Sequence, residues 1–211
     1  MKISGKLDDL VMGTHYIRKC RRFTLANRFV RTGQLVLLGD SLTEFWALNK
    51  KRYPKTHLKI YNRGISADTS LGCYQRLDLS ALVLKPSIIV LLIGINDFWR
   101  DDFTHAQTAE NQRRILETLR AELPESRIIV QSLYPVHSGR RNPPQPFNAL
   151  VQKSNTLLRE NCADLGCEYL DIYSLLTDAD GALRKELSPD GLHVNGSGYD
   201  IIRGAVEEAI A

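Results

Sequence analysis

The sequence predicts an α/β fold: a three-layer α/β/α sandwich around a five-stranded, mainly parallel sheet. Three observations carry that expectation. Short continuous apolar runs recur, as in strands covered on both faces. Segments with apolar residues on one helical face alternate with them. The chain is 211 residues long, 43% apolar and 25% charged, the proportions of one globular domain with a substantial core.

The elements follow in order. The segment from about Leu7 to Arg31 reads as helical, lies outside the alternation and is expected to pack across the sheet edge. Leu35-Val36-Leu37-Leu38 runs into Gly39 as a first strand, and Leu58-Lys59-Ile60-Tyr61 is a weaker second. Ile88 to Ile93, again ending in glycine, is the third. Ala109, Ile115, Leu116, Leu119 and Leu123 share a helical face, and Pro124 stops that helix. Ile128-Ile129-Val130 supplies a fourth strand. Phe147, Leu150, Val151, Leu157, Leu158, Cys162 and Leu165 line the next helix, which Gly166 ends. Tyr169 to Ile172 is the fifth strand, and Ile201, Ile202, Ala205, Val206 and Ala209 mark a closing helix. With no internal repeat or linker, residues 1–211 read as a single domain with a helical N-terminal extension.

Several function classes are disfavoured. The net charge of +4 is mild, and its clusters (Arg18, Lys19, Arg21 and Arg22; Arg140 and Arg141) lack interleaved aromatics, so no nucleic-acid partner is expected. The N-terminus has acidic residues early and no apolar core, unlike a signal peptide. No apolar run approaches the roughly 20 residues of a membrane span. Cys20, Cys73, Cys162 and Cys167 form no zinc-site spacing and read as reduced thiols in a cytoplasmic protein. No glycine-rich phosphate loop is present. No metal or cofactor is expected.

Four polar motifs follow the strands or precede the last helix: Gly39-Asp40-Ser41-Leu42, Asn62-Arg63-Gly64-Ile65-Ser66, Gly94-Ile95-Asn96-Asp97 and Asp190-Gly191-Leu192-His193. Open α/β sheets build sites at the carboxyl ends of their strands, so the motifs can converge on one rim. Ser41 is a candidate nucleophile beside a helix start, although serine there also serves as an N-cap. His193 is the candidate general base. Asp190, three residues earlier, can fix its tautomer. His15, His57 and His105 lack such a partner in the sequence, and Asp40 reads as structural.

These four motifs, in this order, resemble those of the GDSL, or SGNH, family of esterases and lipases, which includes platelet-activating-factor acetylhydrolase-like and lysophospholipase-like members. The match runs from Leu35 to the C-terminus. The resemblance implies a flavodoxin-like SGNH hydrolase fold and a serine esterase with Ser41, Asp190 and His193 as catalytic residues. It also implies an oxyanion hole from the Ser41 N–H, the Gly64 N–H and the Asn96 side-chain amide. The α/β-hydrolase scaffold fits less well, because its Gly-x-Ser-x-Gly elbow would need glycine where Thr43 stands.

The expected substrate is a small-molecule ester with a short acyl or acetyl group, including carbohydrate O-acetyl groups. Lysophospholipids or thioesters, acyl transfer to an alcohol by the same residues, and a non-catalytic binding module are the alternatives. Phe45, Trp46, Phe98 and Trp99 lie just past candidate catalytic positions and could wall a pocket, as could His137, while core packing explains such aromatics equally well. The loop Ser138 to Pro144 could overhang the site. A homo-oligomer is compatible with the sequence.

Overall fold

The computed structural model describes residues 3–46, 51–99, 104–137 and 147–211; the expected overhanging loop at 138–144 falls outside them. Five parallel strands form one sheet: β1 (Leu35–Gly39), β2 (Ile60–Gly64), β3 (Ile88–Leu92), β4 (Arg127–Gln131) and β5 (Glu168–Leu170). Their spatial order is β2-β1-β3-β4-β5, so the chain reverses its winding between β1 and β3. A crevice for ligands opens at such a reversal, at the carboxyl ends of the strands.

Strands β1 and β3 are buried along their whole length because helices cover both faces. Alternate side chains feed two separate cores. Leu35, Leu37, Val90 and Leu92 face one layer with α8 (Gly196–Ile210), through Tyr199, Ile202 and Val206. Val36, Leu38, Ile89 and Leu91 face the other with α5 (His105–Glu122), through Ile115, Leu116 and Leu119. Helix α6 (Phe147–Asp164) serves both, with Phe147 and Val151 in the first core and Leu158 and Cys162 in the second. The expected strands and helices are present, with two displacements. The fifth strand, expected over Tyr169 to Ile172, spans Glu168–Leu170. The second strand begins at Ile60 and continues through Asn62 and Arg63, polar residues that carry no apolar signal.

The N-terminal helix both starts and ends earlier than expected: α1 spans Ile3–Ala26, a single 3-10 turn, Asn27–Phe29, follows it, and Val30 and Arg31 lie outside the helix. It lies beside the β2 edge. The Tyr16 hydroxyl donates to the Gly72 carbonyl at 3.1 Å, Asn27 Nδ2 donates to the Leu79 carbonyl at 2.8 Å, and the Arg63 guanidinium stacks on the Phe23 ring at 4.6 Å. No helix among the described residues is long and apolar enough to cross a membrane.

Candidate active site

Helix α2 (Ser41–Trp46) starts one residue after β1 ends. Such an abrupt turn needs Gly39, where a Cβ would lie 2.2 Å from the Leu92 carbonyl oxygen and 2.3 Å from Thr43 Oγ1. Ser41 is the first residue of α2, so its N–H is one of the donors a helix start leaves unpaired. Its Oγ lies 3.0 Å from His193 Nε2, bridging 152 positions of sequence. His193 Nδ1 in turn lies 2.7 Å from Asp190 Oδ2.

The loop before α8 is held by its own polar groups. Asp190 Oδ1 accepts the N–H of Leu192 at 3.0 Å and of His193 at 2.8 Å. Ser188 Oγ accepts the Gly191 N–H and donates to the His193 carbonyl. Burial alone would raise the Asp190 carboxyl, but the His193 ring and the backbone N–H groups outweigh it and hold it at about 2. Asp190 is therefore ionised at neutral pH. A hydroxyl on an imidazole that is fixed by a carboxylate can be deprotonated as it attacks an electrophile.

The remaining predicted residues divide. Asn96 reaches the loop after β2, donating through Nδ2 to the Asp68 carbonyl at 2.9 Å. Gly64 departs from expectation as an oxyanion donor: its N–H is spent on Asn62 Oδ1 at 3.0 Å. It is glycine for a different reason. A Cβ there would sit 2.2 Å from the Glu44 nitrogen, so β2 packs directly on the α2 backbone. Three residues on, Ala67 adopts φ +61°, a left-handed conformation unusual for alanine, and no acceptor among the described residues takes its N–H. Nothing in an alanine's identity signals that geometry.

Phe45 stays at the site, its ring 4.9 Å from that of His193. Trp99 leans on Phe147 at 5.2 Å, and its Nε1 has no partner among the described residues. Phe98, by contrast, is 7% exposed and packs edge-on against Phe147, and Trp46 is buried and stacked on Tyr199, so both belong to the core. The His137 N–H donates to the Gly191 carbonyl, which ties the segment after β4 to the His193 loop, and its ring nitrogens are unpaired among the described residues.

A buried polar layer that the motifs did not reveal lies beneath the site. Arg76 donates through Nε to Asp68 Oδ2 at 2.7 Å, through one terminal nitrogen to the Arg63 carbonyl and Ser80 Oγ, and through the other to the Gly39 carbonyl. It thus pins the carboxyl ends of β1 and β2 together. Asp97 accepts the Ser70 N–H at 2.9 Å and the Ser70 hydroxyl at 2.5 Å. Among the described residues, no three His, Cys, Asp or Glu side chains cluster so as to hold a metal ion.

Asp40 is fully buried; one oxygen accepts the Leu42 N–H at 2.9 Å and the other has no partner among the described residues. Burial pushes its carboxyl from 3.8 up to about 7. Below 3.8 the group is protonated in both folded and unfolded chains and costs nothing. Between 3.8 and about 7 only the unfolded chain releases the proton, so stability falls as pH rises and then levels off. Urea denaturation from pH 4 to 8 is expected to show this decline, and Asp40→Asn is expected to make it shallower; an unchanged slope in the variant would refute the assignment.

The profile of the GDSL-like lipase/acylhydrolase family matches residues 37–201. One curated relative, an N-acylneuraminate cytidylyltransferase from Escherichia coli O18:K1:H7, is 25% identical over 185 residues; the match takes in 87% of this chain, which spans only 42% of that relative's length. Among solved structures, one from Streptococcus pneumonia, provisionally described as a platelet activating factor, is 23% identical with a TM-score of 0.89 and 99% coverage of both chains. A GDSL-like lipase from Bacteroides thetaiotaomicron is 22% identical, with a TM-score of 0.82 over 90% of this chain and 96% of that one. An acetylxylan esterase from Geobacillus stearothermophilus, in a catalytic mutant form, is 16% identical, with a TM-score of 0.68 over 87% of this chain and 96% of that one.

Proposed function

Because the chain belongs to the GDSL-like lipase/acylhydrolase family, and is thereby a carboxylic ester hydrolase, we propose that it removes short acyl groups, acetyl above all, from hydroxyls of a carbohydrate through an acyl-serine intermediate. The observation that carries the mechanism is the hydrogen-bonded series Ser41 Oγ, His193 Nε2, His193 Nδ1, Asp190 Oδ2, with separations of 3.0 and 2.7 Å. Ser41 Oγ bonds to the ester carbonyl carbon while its proton passes to His193 Nε2. The carbonyl oxygen becomes an oxyanion. His193 then returns the proton to the departing alkoxide, and the acyl group stays on Ser41. In the second half, a water gives its proton to His193 and attacks the acyl-serine; the carboxylic acid leaves and Ser41 recovers its proton.

Three donors are available for the oxyanion in this reading: the Ser41 N–H, Asn96 Nδ2 and the Ala67 N–H, the last in place of Gly64. Each preorganised donor of this kind contributes about 3 kcal/mol to transition-state stabilisation. Asn96 Nδ2 carries two hydrogens, so its bond to the Asp68 carbonyl leaves one for substrate.

Two names among the similar proteins support the carbohydrate assignment: an acetylxylan esterase and an N-acylneuraminate cytidylyltransferase, both named for acylated sugars. The test pairs labelling with a substrate panel. A fluorophosphonate probe is expected to modify Ser41, mapped by peptide mass spectrometry, and turnover of p-nitrophenyl esters is expected to fall steeply from acetyl to octanoyl. Acetylated xylo-oligosaccharides and O-acetylated sialic acid should both release acetate. Unlabelled Ser41 would overturn the mechanism, and a preference for octanoyl over acetyl would overturn the substrate class.

A further inference from the structure

We propose that Glu44 is a positioning residue for ester hydrolysis: supported by α1, it clamps the turn at Ser66 so that the Ala67 N–H faces the oxyanion. The proposal rests on the esterase reading above. Glu44 sits on α2, three residues after Ser41, yet its carboxylate is engaged entirely by other elements. Oε2 accepts the Ser66 N–H at 2.6 Å and the Ser66 hydroxyl at 2.8 Å, and it lies 3.0 Å from His15 Nε2. Oε1 lies 3.1 Å from Lys19 Nζ. His15 and Lys19 are four apart on α1 and so share a helix face. Burial works to raise the Glu44 carboxyl, but the His15 and Ser66 hydrogen bonds and the Lys19 charge outweigh it and keep it low.

The turn needs such a clamp because Ala67 holds φ +61°, which residues with a Cβ avoid. On its C-terminal side the conformation is fixed. The Asp68 N–H donates to the Ile65 carbonyl, the Asp68 carbonyl accepts from Asn96, and the Asp68 carboxylate is paired with Arg76. On its N-terminal side the Ser66 N–H and hydroxyl both donate to Glu44 Oε2. One carboxylate therefore links the helix that carries the nucleophile, the turn that carries an oxyanion donor, and the N-terminal helix. The basic stretch around Lys19 and the unassigned His15 acquire a role through it.

A group that aims a donor at the oxyanion acts on the transition state and leaves ground-state binding unchanged. Glu44→Ala is expected to lower kcat for p-nitrophenyl acetate about tenfold or more, with KM within about twofold of the parent. Glycine enters the positive-φ region freely, so adding Ala67→Gly to Glu44→Ala is expected to restore at least about threefold of kcat. A purely structural role for Glu44 predicts no such rescue. Ser66→Ala, which removes only the hydroxyl bond, is expected to give a smaller loss in the same parameter, and it carries the test if Glu44→Ala does not fold. An unchanged kcat in a folded variant, an effect confined to KM, or no rescue by glycine would overturn the proposal. If parental Ser41 is not labelled by a fluorophosphonate, the esterase reading fails and takes this proposal with it. Labelling with full activity in Glu44→Ala overturns this proposal alone.

Discussion

Replacing Ser41 with alanine is expected to lower kcat/KM for p-nitrophenyl acetate by about 10⁴-fold or more, equivalent to about 5 kcal/mol of transition-state stabilisation. The hydroxyl is the atom that would form the covalent intermediate, so nothing left in the site can substitute for it. Rate above background should persist only through the remaining oxyanion donors and binding. Ser41 is 6% exposed, and its hydroxyl makes a 3.0 Å hydrogen bond to His193. The melting temperature should therefore stay within a few degrees of the parent, and fluorophosphonate labelling should vanish. Stopped-flow traces of the parent should show a p-nitrophenol burst if deacylation is slow, and the variant should show none. Activity within about tenfold of the parent would remove Ser41 from the mechanism.

Arg76→Met is expected to destabilise the fold by about 3–5 kcal/mol, the penalty for stranding one member of a buried ion pair. Arg76 is 3% exposed, and its guanidinium reaches the Asp68 carboxylate, two main-chain carbonyls and the Ser80 hydroxyl. Removing it leaves Asp68, itself 3% exposed, as an unpaired buried carboxylate. Burial already pushes the Asp68 carboxyl upward, and the nearby guanidinium opposes that rise. Without the guanidinium, the Asp68 carboxyl should move further upward, so Arg76→Met should be relatively more stable in acid. For a chain of this size the melting temperature should drop by about 10 °C or more. Arg76→Lys should recover little, because one ammonium cannot span donors that a planar fork reaches together. Pairing Arg76→Met with Asp68→Asn should cost less than the sum of the two single changes. Denaturant midpoints of the four variants check this, and strict additivity would show that the pair is not coupled.

The parts of this molecule that were legible in sequence are those governed by local pattern. Strands β1 and β3 are unbroken apolar runs because both faces are covered, and α5, α6 and α8 carry a helical stripe because one face is. The meeting of Ser41, Asp190 and His193 was expected because residue types suited to acyl transfer stand at a strand end and before the closing helix, and the three side chains do come within hydrogen-bonding distance. Strand β2 was read too early. Its Asn62 and Arg63 break the apolar pattern, yet Asn62 donates to the Thr43 carbonyl and the Tyr53 hydroxyl, and Arg63 donates to Asn27 and stacks on Phe23, partners supplied by other parts of the chain. The sequence left Phe98 open between pocket wall and core, and it packs in the core because Phe147, 49 positions away, covers it.

Glycine at 64 illustrates the limit most clearly. A missing side chain indicates close approach but does not say what approaches; here it is the backbone of α2, and the N–H is taken by Asn62. Ala67 carries no sequence signal at all for its positive φ. The sequence by itself determined the order of strands and helices and singled out Ser41, His193 and Asp190 as the candidate nucleophile, base and carboxylate, since periodicity and residue chemistry are local properties. Only the tertiary structure decided that the Gly64 N–H is taken by Asn62, and that Glu44 joins α1 to the turn at Ser66. The reason is physical: whether a donor is free depends on every acceptor the fold brings within 3 Å or so of it, and those acceptors come from positions far apart in the chain.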